Sequence, residues 1–298
     1  MDIPMNDKNR QNMYKLLRNL GDVQGIARMT VLSLNSFIES IRQLQCTKQE
    51  LQPLYFELAD ALKNSQPKII PLIHLLEQFE KEMQETLTPE MGLEEIRGKT
   101  IENLEAKIKL FQDNAARVTE NGLKYINNHD VIIVHSASSV VTNILVQAKE
   151  KWNKRFEVVI LEHNRDRTRQ IIQALRDADI EHIVAPAYDL SHHIDRATKM
   201  FLGALTITSD RKIVAPSGTA GTVGQCHLNG IAVHLFANTL HYSHGASTDQ
   251  YIYQEEEDTQ SANMDFSITT HSHDLVSLDL INHIVTENGE TEKDATAS

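Results

Sequence analysis

Glycine and proline are both scarce in this sequence of 298 residues, which contains 12 glycines and 7 prolines, about half of their usual share. Proteins with many tight turns, such as β-sandwiches, need more of both residues, so the composition favours long helices. It also excludes a collagen-like or low-complexity chain, because such chains are rich in these residues. Disorder is not expected as the main state, because this length allows two domains that each bury a core.

Long apolar runs and paired cysteines are missing as well. No stretch approaches the roughly 18 apolar residues of a membrane span, and the segment Met1–Arg10 is polar, without the apolar core of a targeting signal. Cys46 and Cys226 lie far apart and form no CxxC pair, so the sequence predicts neither a disulfide framework nor a thiolate zinc site. We therefore expect a soluble protein of the reducing cytoplasm, without membrane contact.

Basic residues are outnumbered, with 29 lysines and arginines against 41 acidic residues and a formal net charge of -12. This charge repels phosphate backbones, so nucleic-acid binding would need a local basic stripe. The densest basic stretch, Lys149–Arg155 with Arg165, Arg167 and Arg169, is interleaved with acids and is typical of solvated helix faces. We expect no direct nucleic-acid partner.

The two halves of the chain differ in the spacing of their apolar residues. Up to about residue 127 these residues recur every three or four positions, which predicts amphipathic helices. One helix is expected to begin near Pro67, and another to extend over about Leu93–Ile126. The expected domains are a helical domain over 1–127, an α/β domain over 128–290 and a mobile tail over 291–298.

Beyond residue 128, short apolar runs rich in β-branched residues alternate with helix-like stretches. This alternation is typical of βαβ units and predicts a mostly parallel sheet covered by helices. The predicted strands are Val131–Val134, Phe156–Leu161, Ile180–Val184, Met200–Ile207 and Ile231–Phe236. The predicted helices are Val140–Lys151, Thr168–Asp177 and Ala220–Asn229. The acidic segment Glu255–Asp258 is interpreted as a solvated loop.

In a parallel sheet, ligands bind beyond the carboxyl ends of the strands, so the loops that follow the strands are the candidate sites. The segment Ser217–Gly224 is a glycine-rich turn that opens a predicted helix, whose free N–H groups are suited to hold an anion. It matches neither a Walker A motif nor GxGxxG. A tight turn with close helix packing is therefore an equal alternative.

His135, Ser136 and Ser138 follow the first predicted strand, where hydroxyl groups either cap the next helix or bind a ligand. Nucleophilic catalysis is disfavoured, because adjacent strand residues point to opposite faces and no GxSxG elbow is present. Asp189, close to another strand end, is either a base or a helix cap. The 14 histidines match no metal-ligand spacing such as HExxH, so we expect no metal site.

The order and spacing of five segments carry a resemblance to a known family. The segments are VIIVHSASSVV, VVILEHNR, FLGALTITSDRKIVAPSGT, FANTLHYS and NMDFSITTHSHDLVSLDLINHIVTENG. Together they resemble the family that contains the α, β and δ subunits of translation initiation factor 2B, ribose-1,5-bisphosphate isomerase and methylthioribose-1-phosphate isomerase. The resemblance covers most of residues 130–290. It implies an N-terminal all-helical domain followed by a Rossmann-like, mostly parallel α/β domain of the NagB/RpiA/CoA-transferase-like kind.

The same resemblance implies that the isomerase site of this family has been lost. The family's isomerases use a cysteine after the first strand and an aspartate in a GAD motif, and the matching positions here are Ser136 and Leu205. Leucine cannot transfer a proton, and a serine hydroxyl is a far weaker acid than a thiol. The family's asparagine–lysine pair is replaced by Ala215 and Pro216, and a further lysine by His241.

From this resemblance we expect a non-catalytic, regulatory member of the family that uses no cofactor and forms a homodimer or higher oligomer through its C-terminal domain. A small-molecule ligand is expected to be a phosphorylated sugar or nucleotide. The residues expected to line its site are Ser136, Ser138, Gly218, Thr219, His241 and Ser243. Two alternatives stay open: an aldose–ketose sugar-phosphate isomerase with its chemistry moved to Asp189, His135 or His241, and a ligand-free interaction scaffold.

Overall fold

The computed structural model describes most of the chain, which divides into two compact units. The described residues are 7–64, 68–88, 90–135, 138–162, 165–250, 252, 254–261 and 264–291. The units are Met1–Asn114 and Ala115–Ser298. The first is helical and the second contains a mostly parallel sheet, so the fold class predicted from the sequence is confirmed.

Amphipathic helices build the first unit. They are α1 (Asp7–Gln43), α2 (Lys48–Lys63), α3 (Ile70–Thr86) and the larger part of α4 (Leu93–Gly122), whose last residues belong to the second unit. In their core the rings of Phe37 and Phe79 meet edge to face, with centroids 5.5 Å apart. The third helix begins at Ile70, three residues after Pro67, which lies outside the described residues, and Pro71 occupies its first turn.

Among the described residues, the second unit contains twelve strands and three further helices. The strands are β1 (Val131–His135), β2 (Glu157–Glu162), β3 (Glu181–Pro186), β4 (Lys199–Gly203), β5 (Thr206–Ile207), β6 (Lys212–Pro216), β7 (Ala232–Phe236), β8 (Gln254–Ser261), β9 (Met264–His271), β10 (His273–Ser277), β11 (His283–Thr286) and β12 (Gly289–Thr291). The helices are α5 (Ser139–Trp152), α6 (Arg165–Asp177) and α7 (Thr219–Leu228).

The main sheet has the strand order β12-β11-β7-β4-β1-β2-β3, and all of its pairs are parallel except that of β11 with β12. Ile132 and Ile133 point to opposite faces of β1 and are both fully buried, which explains the continuous apolar run. The chain proceeds from β1 to β2 and β3 and then crosses to β4 on the other side of β1. A ligand crevice is therefore expected beyond the carboxyl ends of β1 and β4, where the strand order reverses.

The predicted strand Met200–Ile207 is divided in the structure. β4 ends at Gly203, and Thr206–Ile207 pairs antiparallel with β6 in a second sheet of order β10-β6-β5. The N–H of Leu205 donates to the carbonyl of Val214 at 3.0 Å, so the chain turns onto β6 directly after β4. The prediction of one strand is wrong because an apolar run reports burial and not the partner strand.

β8 and β9 form an antiparallel hairpin outside both sheets, with Gln254 opposite His271 and Ser261 opposite Met264. The interpretation of Glu255–Asp258 as a loop is wrong, because these residues lie in β8. Acidic residues are depleted in strands, so the acidic run conceals this strand in the sequence. Its ladder of hydrogen bonds depends on β9, which is uncharged over most of its length.

The described helices include none that is long and apolar enough to cross a membrane. Both cysteines carry free thiols, and Cys226 is buried on α7. Burial raises the pKa of the Cys226 thiol to about 12, so this sulfur is a protonated, inert part of the core. Within the part of the chain that the structure describes, no group of three or more His, Cys, Asp and Glu side chains is placed to hold a metal ion.

Candidate functional site

The loops that follow β1 and β4 meet where the strand order reverses. Ser138, the residue before α5, lies against Gly203 at the end of β4. A Cβ atom on Gly203 would lie 2.5 Å from Cβ and 2.6 Å from Oγ of Ser138, closer than packed atoms approach. Glycine at position 203 therefore allows the contact. Ser138 occupies the predicted cap position of α5, but its hydroxyl makes no capping hydrogen bond to the described first turn.

His135 ends β1 and is almost fully buried, with 1% of its surface exposed. Its Nδ1 lies 3.0 Å from the hydroxyl oxygen of Thr219. That hydroxyl donates its single proton to the carbonyl of Pro216 at 2.5 Å, so it can only accept from the imidazole. The geometry therefore assigns a proton to Nδ1 of His135. Nε2 lies on the side of Gly218, 3.3 Å from the position that a Cβ there would take.

The glycine-rich turn opens α7, as the sequence predicts. Gly218 precedes the helix with a φ of +88°, in the left-handed region that favours glycine. Because the imidazole of His135 occupies the space beside Gly218, a side chain there would be both strained and crowded. The fold thus brings His135, Ser138, Gly218 and Thr219 together at the carboxyl end of β1. Ser136, predicted with them, lies outside the described residues.

The N-terminus of α7 already has an anionic partner within the chain. The N–H of Ala220 donates to Oδ2 of Asp274 at 2.8 Å. Asp274 lies on β10 opposite Ala215 of β6, and this pairing delivers its carboxylate to the helix. The positive end of the helix dipole stabilises this negative carboxylate, which occupies one of the N–H groups that were predicted to hold a phosphate. The sequence carries no local signal for Asp274, which is 54 positions from Ala220.

His241 and Ser243 belong to the loop that follows β7. Nδ1 of His241 lies 2.7 Å from Oδ1 of Asn238, which is buried. The N–H of Ser243 donates to the carbonyl of Ile207 at 2.7 Å, and its hydroxyl oxygen accepts from the N–H of Gly245 at 3.1 Å. These contacts hold the loop in place and join it to β5, so both predicted ligand residues already have structural partners.

Asp189 is the predicted site residue that lies apart from the others. It belongs to a short 3-10 helix, Ala187–His192, that follows β3. β3 is an edge strand, two positions away from β1 and three from β4, whereas β7, which precedes the loop with His241 and Ser243, is the direct neighbour of β4. At the usual strand spacing Asp189 therefore lies about 10 Å beyond β1, on the side away from β4. The carboxylate of Asp189 lies 3.6 Å from Nε2 of His192 at the surface. Asp189 is within the short helix rather than at its cap.

Leu205 follows the end of β4 and contributes no ionisable group to these loops. Two carboxylates are bound to backbone N–H groups nearby in the fold: Asp274 at α7, and Glu287, which accepts from the N–H of Thr239 at 2.9 Å in the loop after β7. A carboxylate opposes the binding of a second anion at the same place. The described groups thus suit hydrogen bonding better than proton transfer or phosphate binding.

Comparison with known proteins places most of this chain in one family. A family model described as the initiation factor 2 subunit family matches residues 22–293. The Pyrococcus furiosus protein described as translation initiation factor eIF-2B subunit 2-like is 30% identical over 136 residues, which cover 45% of this chain and 49% of that protein. The chain spans about half of the length of this curated relative.

Solved structures share the fold, and two of them show the range of proteins involved. A chain of the tetrameric eIF2B-beta2-delta2 complex from C. thermophilum is similar with a TM-score of 0.70 at 13% identity, over 96% of this chain and 93% of that one. The 5-methylthioribose 1-phosphate isomerase from Pyrococcus horikoshii OT3 is similar with a TM-score of 0.75 at 14% identity, over 94% of this chain and 83% of that one. At these identities the similarity shows the fold alone.

Proposed function

Because this chain belongs to the initiation factor 2 subunit family, we propose that it acts as a non-catalytic, cytoplasmic eIF-2B-subunit-like protein that binds partner subunits. The resemblance carried by the sequence segments is confirmed at the level of the family. The observation that supports a non-catalytic role is Leu205 beyond the end of β4, at the position that matches the aspartate of the family's isomerases. The solved beta2-delta2 relative is a tetramer, which supports an oligomer for this chain as well.

Aldose–ketose isomerisation needs a group that takes a proton from the substrate and returns it. Leu205 cannot serve. His135 donates from Nδ1 to Thr219, and its remaining basic nitrogen, Nε2, is turned towards Gly218 in a side chain that is only 1% exposed, which shields it from a substrate. Loss of a general acid–base group costs on the order of 100- to 10,000-fold in rate. We therefore expect no measurable turnover.

The purified chain is expected to convert neither ribose 1,5-bisphosphate nor methylthioribose 1-phosphate in a coupled isomerase assay. A family isomerase that carries the aspartate serves as the positive control under the same conditions. Turnover by this chain that is abolished by Asp189→Asn, His135→Gln or His241→Gln would contradict the proposal. It would establish instead an isomerase with its chemistry moved to that residue.

A phosphorylated sugar or nucleotide remains the proposed small-molecule ligand, and Asp274 is proposed to keep its binding weak. Ser138, Gly218 and Thr219 supply hydrogen-bonding groups beside α7, but the carboxylate of Asp274 faces the same helix end. Two unit charges of one sign at 4 Å repel by about 1 kcal/mol in water and by about 4 kcal/mol at an effective dielectric constant near 20. A neutral sugar does not experience this penalty.

Asp274→Asn is therefore expected to strengthen the binding of ribose 5-phosphate at least about fivefold and to leave the binding of ribose unchanged. The asparagine keeps an oxygen that can accept from Ala220, so the helix cap is preserved. Thermal-shift titrations of both proteins measure the effect, because a ligand of the folded state raises stability. Asp189→Asn removes the same charge at the edge of the sheet and should change nothing.

Equal shifts of the wild-type and Asp274→Asn proteins with ribose 5-phosphate would show that this phosphate does not bind at α7. The absence of any shift in both proteins, with sugars, sugar phosphates and nucleotides, would favour the ligand-free scaffold.

A further inference from the structure

The β8–β9 hairpin lacks the support that a two-stranded sheet needs in water. The two strands pair only with each other among the described residues, over eight positions each. Residues 267–271 of β9 are all exposed, and Ile268 retains 47% of its surface. An isolated hairpin of this kind is marginally stable, whereas three or more strands form a stable sheet.

The two edges of this hairpin differ in charge. β8 contains four consecutive acids, Glu255–Asp258, and charged residues protect a sheet edge from pairing with another chain. β9 has Asp265 and His271 as its only ionisable residues, with the uncharged sequence FSITT between them. Aromatic and β-branched residues of this kind favour strand pairing. The edge of β9 is therefore the one open to a further strand.

We propose that the edge of β9 binds the same edge of a second copy of this chain, antiparallel about a two-fold axis at Ile268. This inference rests on the proposed function, which includes an oligomer, and it names a contact surface in the second unit. The two hairpins would then form one four-stranded sheet. Identical patches related by a two-fold axis must be complementary to themselves.

The charges of β9 meet that requirement and those of β8 do not. Antiparallel pairing centred on Ile268 sets Asp265 of each copy opposite His271 of the other, so an acid faces an imidazole twice. Self-pairing of β8 would bring its four acids against four acids, and like charges directly opposite in a sheet are destabilising. Antiparallel strands contain hydrogen-bonded and non-hydrogen-bonded residue pairs, and a two-fold axis can pass through either kind. The proposed pairing therefore does not depend on which kind the two Ile268 residues form.

The test replaces Ile268, which in the proposed pairing lies opposite Ile268 of the second copy. We expect the wild-type chain to be a dimer at micromolar concentration by sedimentation velocity. Ile268→Lys and Ile268→Glu place like charges opposite each other and are each expected to raise the dimer dissociation constant at least about tenfold. An equimolar mixture of the two variants is expected to recover dimers, because lysine then faces glutamate.

Two controls separate this contact from damage to the hairpin. Ile268 pairs with Glu257 inside the hairpin, so Ile268→Lys gains an opposite charge there and Ile268→Glu gains a like charge. If both variants dissociate, loss of the hairpin alone does not explain the result. Leu228→Lys puts the same charge on another exposed apolar residue, 85% exposed on α7, and is expected to leave the dimer intact.

The outcomes distinguish this inference from the proposed function. A dimer that withstands Ile268→Lys overturns the β9 contact and leaves the proposed oligomer standing. If the two variants dissociate and their equimolar mixture does not recover dimers, the register centred on Ile268 is wrong. A monomeric wild-type chain overturns both the contact and the oligomer.

Discussion

Lys199→Met is expected to lower the free energy of unfolding by about 3–5 kcal/mol, because it leaves a buried carboxylate without its partner. Nζ of Lys199 lies 2.7 Å from Oδ2 of Asp130, and the two side chains retain only 11% and 9% exposure. Nζ also donates to the carbonyl of Tyr125 at 2.8 Å. Asp130 also accepts from the N–H of Asn127 at 2.6 Å. The ion pair of Lys199 and Asp130 thus connects the starts of β4 and β1 to residues 125–127, which precede β1.

Denaturant unfolding of the full chain measures this effect. The double variant Asp130→Asn/Lys199→Met is expected to be less destabilised than the sum of the single variants, because both charges are then gone. Lys109→Met is the matched control: Lys109 and Asp113 form a 2.6 Å pair at the surface, 74% and 46% exposed. Its loss should cost less than about 1 kcal/mol. A Lys199→Met protein as stable as the Lys109→Met protein would contradict the prediction.

Acid is expected to destabilise the second unit through His234, by about 3 kcal/mol when its titration is complete. Burial, together with the charges of His283 and Lys199, lowers the pKa of His234 from 6.5 to about 4. Its ring stacks on that of His283 with centroids 4.4 Å apart, and Nδ1 has no hydrogen-bond partner among the described residues. Glu290, bonded to His283 at 2.6 Å, opposes the shift.

The sign follows from the direction of this pKa shift. The unfolded chain binds a proton at His234 below pH 6.5, whereas the folded chain binds one only near pH 4. Stability is therefore fully present above pH 6.5, falls as the pH decreases through the interval between these values, and levels off below about pH 4.

Unfolding free energies of the wild-type and His234→Phe proteins across this interval isolate the contribution, because phenylalanine keeps an aromatic ring and cannot titrate. The variant should lose less stability than the wild type on acidification, by about 3 kcal/mol. His227→Gln, at an exposed histidine of α7, should follow the wild type. Equal losses in the wild-type and His234→Phe proteins would show that His234 titrates normally.

The division into a helical half and an α/β half was readable from the sequence, because it depends on local spacing. Apolar residues at every third or fourth position can share a core only on helices, and short β-branched runs bury both faces of a parallel strand. The glycine-rich turn before α7 was readable for the same reason, since the positive φ of Gly218 is a property of one residue. The five motif segments carried the family.

Pairing between distant segments was decided only by the tertiary structure. His135 and Thr219 are 84 positions apart, and the carboxylate of Asp274 reaches α7 through a strand that the sequence did not reveal. The division of Met200–Ile207 and the β8–β9 hairpin also depend on which strand lies beside which. The sequence alone determined that the segments with a clear apolar period are helices or strands and that they are buried. The partners of those segments follow from long-range packing, because residue spacing records the burial of a side chain and not the identity of its neighbour.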